Sequence, residues 1–178
     1  MENIIYREET LETFSAQSLD SFVRRQVVRE CWRRVDGELV LLPVEYVEDW
    51  DLDGRRARAA DMVRGLKAGC RLFAALSAGE VVGFAYLKTP LFGIGSRYAE
   101  LSRFHVSEPW RGRGVGRALF AMACRGAREL GAEKLYISAH SAREPMAAYR
   151  SLGCVEAVEI NRALAEKEPC DIQMEYPL

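Results

Sequence analysis

A run of alternating glycines, RGRGVG at positions 111–116, limits the folds open to this 178-residue chain more than any other stretch. It follows the strand-like segment 98–106 and opens the amphipathic segment 115–130, whose apolar residues recur every three or four positions. Glycine lets the backbone turn sharply, and the start of a helix presents unpaired N–H groups and the positive end of the helix dipole. The sequence therefore predicts a strand–loop–helix unit that binds an anion, with phosphate or pyrophosphate as the natural ligand.

The spacing of the glycines narrows the kind of phosphate ligand. A GxxxxGK[ST] loop is absent, and the dinucleotide patterns GxGxxG and GxGxxA fail in both frames because Arg117 and Leu119 stand where a small residue is required. The pattern that fits is R-x-x-G-x-G, formed by Arg111, Gly114 and Gly116, and the arginines at 111, 113 and 117 add positive charge around the turn. A glycine-rich turn with solvated arginines is the alternative that involves no ligand.

The rest of the chain reads as strands interleaved with helices. We expect strands at 3–6, 39–47, 71–76, 81–87, 98–106, 134–139, 154–160 and 171–176, helices at 18–34, 55–67, 115–130 and 143–152, and a loop at 89–96. Residues 77–80 predict a hairpin, and the strands at 98–106 and 134–139 should be parallel because a helix connects them. This order predicts an α/β (α+β mixed) domain, residues 1–178, with a mixed sheet covered by helices.

Composition excludes several classes of partner. The 25 Lys and Arg nearly balance the 26 Asp and Glu, so no overall charge attracts nucleic acid or an anionic membrane. No window approaches the ~20 apolar residues of a membrane span, and the N-terminus lacks the pattern of a signal peptide. The five cysteines are widely spaced with no CxxC, and there are two histidines, which predicts a cytoplasmic protein without a metal site.

The stretch LSRFHVSEPWRGRGVGRALF resembles the signature segment of the GNAT (GCN5-related) N-acetyltransferases. Tyr149-Arg-Ser-Leu-Gly153 similarly resembles the family's Y-x-x-x-G, and the resemblance spans residues 82–154. It implies the GNAT fold, a largely antiparallel mixed sheet with a parallel β-α-β acetyl-CoA unit and helices on both faces. It also implies an enzyme that moves an acetyl group from acetyl-CoA to an amine. The chain departs from many members at Ala142, Ala148 and Cys154, where they carry Asn and two aromatic residues.

The resemblance also implies which residues contact the cosubstrate. The pyrophosphate of acetyl-CoA would lie on the backbone of the glycine run and its flanks, and the pantetheine arm would pair, like an added strand, with the end of segment 98–106. The cofactor-binding residues implied are Phe104, His105, Val106, Arg111, Gly112, Arg113, Gly114, Val115, Gly116 and Arg117. A backbone N–H near Val106 would stabilise the oxyanion, because fixed donors need no reorganisation during the reaction.

Two side chains suit the proton transfers of acyl transfer to an amine. Glu100 matches the position where some histone-acetylating relatives carry a general base, although family members often use a different base or only water. An exposed carboxylate at the strand end or a structural ion pair is the equal alternative for Glu100. Tyr149 is the implied general acid, because a phenol of pKa about 10 stays protonated and a thiolate of pKa about 8.5 accepts a shared proton. Strand alternation places Glu100, Ser102, Phe104 and Val106 on one face and His105 on the other.

The amine acceptor is less defined. Segment 45–53 holds five acids with Tyr46 and Trp50 and would suit a cationic amine, but a solvated acidic turn that pairs with Arg55, Arg56 and Arg58 is favoured. Polyamines, aminoglycoside-like molecules, amino acids and protein lysines all stay open, as does a homodimer. A non-catalytic acyl-CoA-binding or regulatory module and a nucleotide-binding interaction domain are the alternatives, and the presence of both Glu100 and Tyr149 favours the enzyme.

Overall fold

A computed structural model describes residues 3–178, which form nine strands and four helices. The strands are β1 (Ile4–Glu9), β2 (Arg25–Val35), β3 (Glu38–Asp49), β4 (Arg71–Ser77), β5 (Glu80–Phe92), β6 (Tyr98–Val106), β7 (Lys134–Ala139), β8 (Val155–Glu156) and β9 (Ile172–Pro177). The helices are α1 (Leu52–Lys67), α2 (Val115–Glu129), α3 (Arg143–Ser151) and α4 (Arg162–Lys167).

Seven strands form one sheet, in the order β1-β4-β5-β6-β7-β9-β8. All its neighbouring strands are antiparallel except β6 and β7, which are parallel and joined through α2. β2 and β3 form a separate antiparallel pair. The predicted mixed, largely antiparallel sheet with one parallel β-α-β unit is therefore confirmed.

Helices cover both faces of the large sheet, because the side chains of each central strand alternate between two apolar cores. Phe73 of β4 packs with Leu119 of α2, whereas its neighbour Leu72 packs with Met62 of α1. Both leucines and Met62 are fully buried. Burial of each such side chain contributes about 1.5–3 kcal/mol to stability, so both helices are held firmly against the sheet.

The helix predicted at 18–34 is wrong: residues 10–24 form turns and the rest of the segment is β2. The pairing of β2 with β3 shifts register between Val28↔Tyr46 and Glu30↔Pro43, so the extra residue lies on β3 opposite Arg29. In β2 the buried Val28 and Cys31 are three positions apart, a spacing that also occurs on one face of a helix. The sequence spacing was therefore ambiguous, and pairing with β3 decided the outcome.

Smaller differences concern segment ends and the acidic stretch. β5 continues into the segment predicted as the loop 89–96, and the strand predicted at 154–160 is limited to the two residues of β8. α4 was not predicted, although Asn161 caps it by accepting a hydrogen bond from the Leu164 N–H. The first half of the acidic segment 45–53 belongs to β3 and is not a turn. The other predicted elements are present.

Candidate functional site

The two parallel strands at the centre of the sheet are paired only at their beginnings. Their register runs from Tyr98↔Lys134 to Glu100↔Tyr136, and beyond this point β6 and β7 separate. Within residues 3–178, the edge of β6 that faces β7 therefore has no strand beside it from Leu101 onward. A free strand edge of this kind can pair with an extended ligand through backbone hydrogen bonds.

The glycine run lies just past the end of β6 and opens outward. Gly112 and Gly114 have φ of +75° and +81°, in the left-handed region that favours glycine, and a Cβ added to either would meet no atom within 4 Å. Gly114 is the N-cap of α2 and makes no side-chain cap hydrogen bond. The backbone of this turn, together with the first N–H groups of α2, thus forms a cradle that an anion could reach without a clash.

The three arginines of this segment do not share one role. Arg111 donates from Nε to the Val106 carbonyl at 3.1 Å and from Nη1 to the Arg25 carbonyl at 2.8 Å, so its guanidinium ties the glycine run to β6 and β2. Burial, helped by the nearby charge of Arg24, lowers the pKa of Arg111. Arg113 lies over the Trp110 ring at 5.0 Å, and Arg117 is exposed on the first turn of α2.

A bulge in β6 changes which residues share a face. Leu87 of β5 pairs with Leu101, and the next residue back along β5, Tyr86, pairs with Arg103, so Ser102 is an extra residue. The predicted grouping of Glu100 with Phe104 and Val106 is therefore wrong, because the bulge shifts the alternation by one position. Glu100, Arg103 and His105 share the α1 face, whereas Leu101, Phe104 and Val106 share the α2 face.

On the α2 face, three separate parts of the sequence meet. The Phe104 ring lies 6.0 Å from the Tyr149 ring of α3, and a Cβ added to Gly116 would lie 3.6 Å from both Phe104 and Val106. The end of β6, the first turn of α2 and the tyrosine of the Y-x-x-x-G motif therefore surround one space beside the free edge of β6.

Tyr149 is suited to donate a proton there. Its side chain is half-buried, and its hydroxyl makes no hydrogen bond within the described part of the chain. Burial, together with the neighbouring Cys154 and Asp171, raises the pKa of Tyr149 above its ordinary value. The phenol consequently stays protonated at neutral pH.

Glu100 lies at the point where β6 and β7 begin to separate. Its side chain is 16% exposed, and its Oε1 lies 3.9 Å from Nζ of Lys88 on β5. The ion pair that was the alternative to a base is thus present, but it is long and leaves the second carboxylate oxygen available. Glu100 leaves β6 on the α1 face, whereas Tyr149 of α3 packs against Phe104 on the α2 face, so direct contact of both side chains with one small group is difficult.

The structure adds residues that the sequence analysis missed, and Arg24 is foremost among them. Arg24 is 7% exposed, and its Nη2 donates to Glu48 Oε2 at 2.8 Å. Glu48 Oε1 lies 3.1 Å from His140 Nε2, and this hydrogen bond is the main cause of the lowered pKa of Glu48. The Ala142 N–H donates to His140 Nδ1, which assigns the proton of a neutral ring to Nε2. No local motif marks Arg24, because its neighbours in space are distant in sequence.

His105 and Trp50 form an aromatic contact in the same region. Their rings lie 4.8 Å apart, edge to face, and His105 also packs against Phe84 at 5.5 Å. Burial lowers the pKa of His105 well below its usual value, and the charges of Arg24, Arg103, Arg58 and Arg111 lower it further. His105 is therefore neutral at pH 7.

The acidic and basic residues near α1 are not paired as the sequence analysis favoured. Arg56 binds Asp20, Arg55 donates to backbone carbonyls, and Arg58 stacks on Trp50 at 4.3 Å. A cavity of about 510 Å³ opens beside Trp50 and Arg58 at the start of α1. Among residues 3–178, no His, Cys, Asp and Glu groups are arranged to hold a metal ion, and no helix has the length and apolar character to cross a bilayer.

Comparisons with solved structures show the same architecture. The fold is similar to that of nourseothricin acetyltransferase, with 22% identity, a TM-score of 0.71 and 98% of each chain covered. A putative streptothricin acetyltransferase from Bacillus anthracis, solved with acetyl coenzyme A, shows 17% identity and a TM-score of 0.71, with 99% of each chain covered. The PaiA N-acetyltransferase from Thermoplasma acidophilum, solved with coenzyme A, shows 14% identity and a TM-score of 0.61, with 99% of each chain covered.

Comparison with sequences gives one positive result. No curated protein is similar enough in sequence to count as a match. A profile of the Acetyltransferase (GNAT) family matches residues 28–154, which is more than half of the chain and contains the glycine run, the free edge of β6 and Tyr149. This chain belongs to the GNAT family of acetyltransferases.

Proposed function

We propose that this protein is an acetyl-CoA-dependent N-acetyltransferase of one domain, residues 1–178, that acts in the cytoplasm on a primary amine of a small molecule or a protein. One observation carries the proposal: the open glycine cradle lies next to the free edge of β6, and Tyr149 faces the same space. An anion-binding turn, a strand edge and a proton donor in this order match the three parts of acetyl-CoA, which are its pyrophosphate, its pantetheine arm and its thioester.

Acetyl-CoA supplies the activated acetyl group. The pyrophosphate would bind the backbone of 112–117, from Gly112 through Arg113, Gly114, Val115 and Gly116 to Arg117, while Arg111 holds the turn in place from behind. The free edge of β6 at Phe104, His105 and Val106 would pair with the pantetheine arm. No metal takes part.

Transfer would proceed by direct attack of the amine on the thioester carbon through a tetrahedral intermediate. A backbone N–H near Val106 stabilises the oxyanion, Tyr149 donates a proton to the departing sulfur, and Glu100 or a water molecule accepts the proton from the amine. The raised pKa of Tyr149 keeps it in the acid form that this role requires. The opposite orientations of Glu100 and Tyr149 favour a relay through water on the base side.

The test is a product-mass screen of amines with acetyl-CoA. The panel contains polyamines, aminoglycosides, amino acids, lysine peptides, nourseothricin and streptothricin, the last two because two structural neighbours bear the names of acetyltransferases for these compounds. We expect an acetylated product in at least one class and none with Gly114→Glu, which places a negative side chain in the cradle. Tight acetyl-CoA binding without product on any amine would instead support the non-catalytic module.

A further inference from the structure

Three arginines that the proposed chemistry does not use lie around Trp50 and His105. We call Arg24, Arg58 and Arg103 the arginine cluster. The guanidinium carbons of Arg24 and Arg58 lie 5.7 and 4.3 Å from the centre of the Trp50 ring, and Arg103 shares the α1 face of β6 with His105. Burial lowers the pKa of Arg58, and the charges of Arg103 and Arg24 lower it further, so the three groups are close enough to repel one another.

The cluster contains buried hydrogen-bond donors that nothing in the described chain satisfies. Nε and Nη1 of Arg24 and Nε of Arg103 are buried and have no acceptor. Arg24 is more than nine-tenths buried, so solvent contact does not compensate for the two missing bonds. An unpaired buried donor costs stability, and a charged one costs more, so this arrangement is consistent with a ligand that supplies the acceptors.

The charges around the cluster indicate the chemical class of that ligand. Glu48 neutralises part of Arg24, and Asp61 accepts from Arg103 at 2.9 Å, whereas among residues 3–178 Arg58 donates a hydrogen bond only to the Gly54 carbonyl and stacks on the Trp50 ring. A carboxylate offers two oxygens in a plane and matches the two adjacent donors of a guanidinium. It would also relieve the repulsion within the cluster, which a neutral or cationic group would not.

The backbone places Arg24 next to the predicted thioester site. The Val23 N–H donates to Ser107 Oγ and the Val23 carbonyl accepts from the Glu108 N–H, both at 2.9 Å. On the other side, the Arg25 carbonyl accepts from Arg111. Both neighbours of Arg24 are therefore bonded to the segment that joins β6 to α2. The cavity whose lining includes Val23, Trp50 and Arg58, together with Asp49 and Asp51, opens beside this region.

We propose that the arginine cluster binds a carboxylate of the acceptor, so that the substrate is a small amine of the amino-acid class. This inference rests on the proposed acetyl transfer and adds the chemical class of the acceptor. Arg24 makes the central contact through Nη1, and Arg58 and Arg103 stabilise the charge from the α1 side. Glu48 keeps Arg24 in place by accepting from Nη2 and leaves Nη1 free for the ligand.

The experiment compares amino acids with their primary carboxamides as acceptors, in matched pairs, with product mass as the readout. We expect kcat/KM for the acids to exceed that for the amides by about tenfold or more, because a site built around buried donors rejects a ligand that leaves them poorly paired. Arg24→Gln should remove this preference mainly through KM for the acids. Arg25→Gln is the matched control, since its side chain points to Glu108 at 3.8 Å and its carbonyl is retained.

Equal rates for acids and amides in the unchanged protein would overturn the proposal. So would a loss in Arg24→Gln that is the same for both, since that result would assign Arg24 to the thioester instead. If Arg24→Gln does not fold, Arg58→Gln replaces it and should reduce the preference in the same direction.

A second readout separates this inference from the proposed function. N-acetyl amino acids and their amides are titrated into the protein, and binding is followed by the shift in melting temperature. Stronger binding of the acids that disappears in Arg24→Gln supports the carboxylate site even if no amine is acetylated. Equal binding of acids and amides counts against the site, whether or not transfer occurs.

Discussion

Replacement of Gly114 by alanine tests the cradle most directly. Gly114 has φ of +81° and ψ of −4°, a left-handed conformation that costs a residue with a Cβ about 1–2 kcal/mol. The added Cβ would meet no atom within 4 Å, so the cost comes from the backbone alone. The same open surroundings let the turn relax to negative φ in the free protein, and acetyl-CoA must then restore the strained form.

The strain therefore appears as lost affinity. A cost of about 1–2 kcal/mol corresponds to a weakening of acetyl-CoA binding by about 5- to 30-fold, measured by titration calorimetry. The free energy of unfolding should change little, because the free turn relaxes. Gly79→Ala is the matched control, since Gly79 has φ of +84° and its Cβ would also meet nothing within 4 Å, but it lies in the β4–β5 hairpin.

The hairpin register, Ser77↔Glu80, holds Gly79 in its conformation, so the strain there cannot relax. Gly79→Ala should lose about 1–2 kcal/mol of unfolding free energy and keep its acetyl-CoA affinity. Wild-type affinity in Gly114→Ala would refute the reasoning, and so would an equal loss of affinity in the two variants.

Three further predictions follow from individual side chains. Tyr149→Phe should lower kcat by about 100-fold or more with KM for acetyl-CoA nearly unchanged, and a variant with normal turnover would exclude the general-acid role. Arg111→Met removes two hydrogen bonds to carbonyls and should reduce the free energy of unfolding, measured in urea, by about 1–3 kcal/mol, with a smaller effect on acetyl-CoA affinity. A loss of acetyl-CoA affinity larger than the loss of unfolding free energy would instead show that Arg111 binds the pyrophosphate. The unfolded chain protonates His105 near pH 6.5, whereas the lowered pKa of His105 keeps it neutral in the folded chain. The free energy of unfolding should therefore fall as the pH drops from 6.5 to 5, by up to about 1.4 kcal/mol per pH unit. His105→Gln should reduce this slope in unfolding curves measured at several pH values.

The segments predicted correctly are those whose signals are local. The hairpin at 77–80, the helix α2 and the strand β6 each carry their own turn residues or apolar periodicity, so their neighbours in sequence are enough to define them. β2 was predicted wrongly because its buried residues Val28 and Cys31 have the spacing of a helix face. Only the hydrogen bonds to β3, which no pattern within 18–34 reveals, separate the two outcomes.

In the candidate site, a bulge at Ser102 decides which residues of β6 share a face. Alternation along β6 groups Glu100 with Phe104 and Val106, and one extra residue reverses this grouping. The sequence could name Glu100 and Tyr149 as candidates, but it could not show that they lie on opposite faces of the sheet. The proposed mechanism therefore places a water molecule between Glu100 and the amine.

The glycine run could be predicted from the sequence because the anion binding proposed for it depends on backbone geometry, which neighbouring residues determine. The arginine cluster could not be predicted, because Arg24, Arg58 and Arg103 come from the residue before β2, from α1 and from β6, and only folding brings their charges together around Trp50 and His105. An anion site made of consecutive backbone amides can be predicted from a short stretch of sequence. A site made of side chains from distant segments exists only once the sheet, its bulges and its covering helix have placed them.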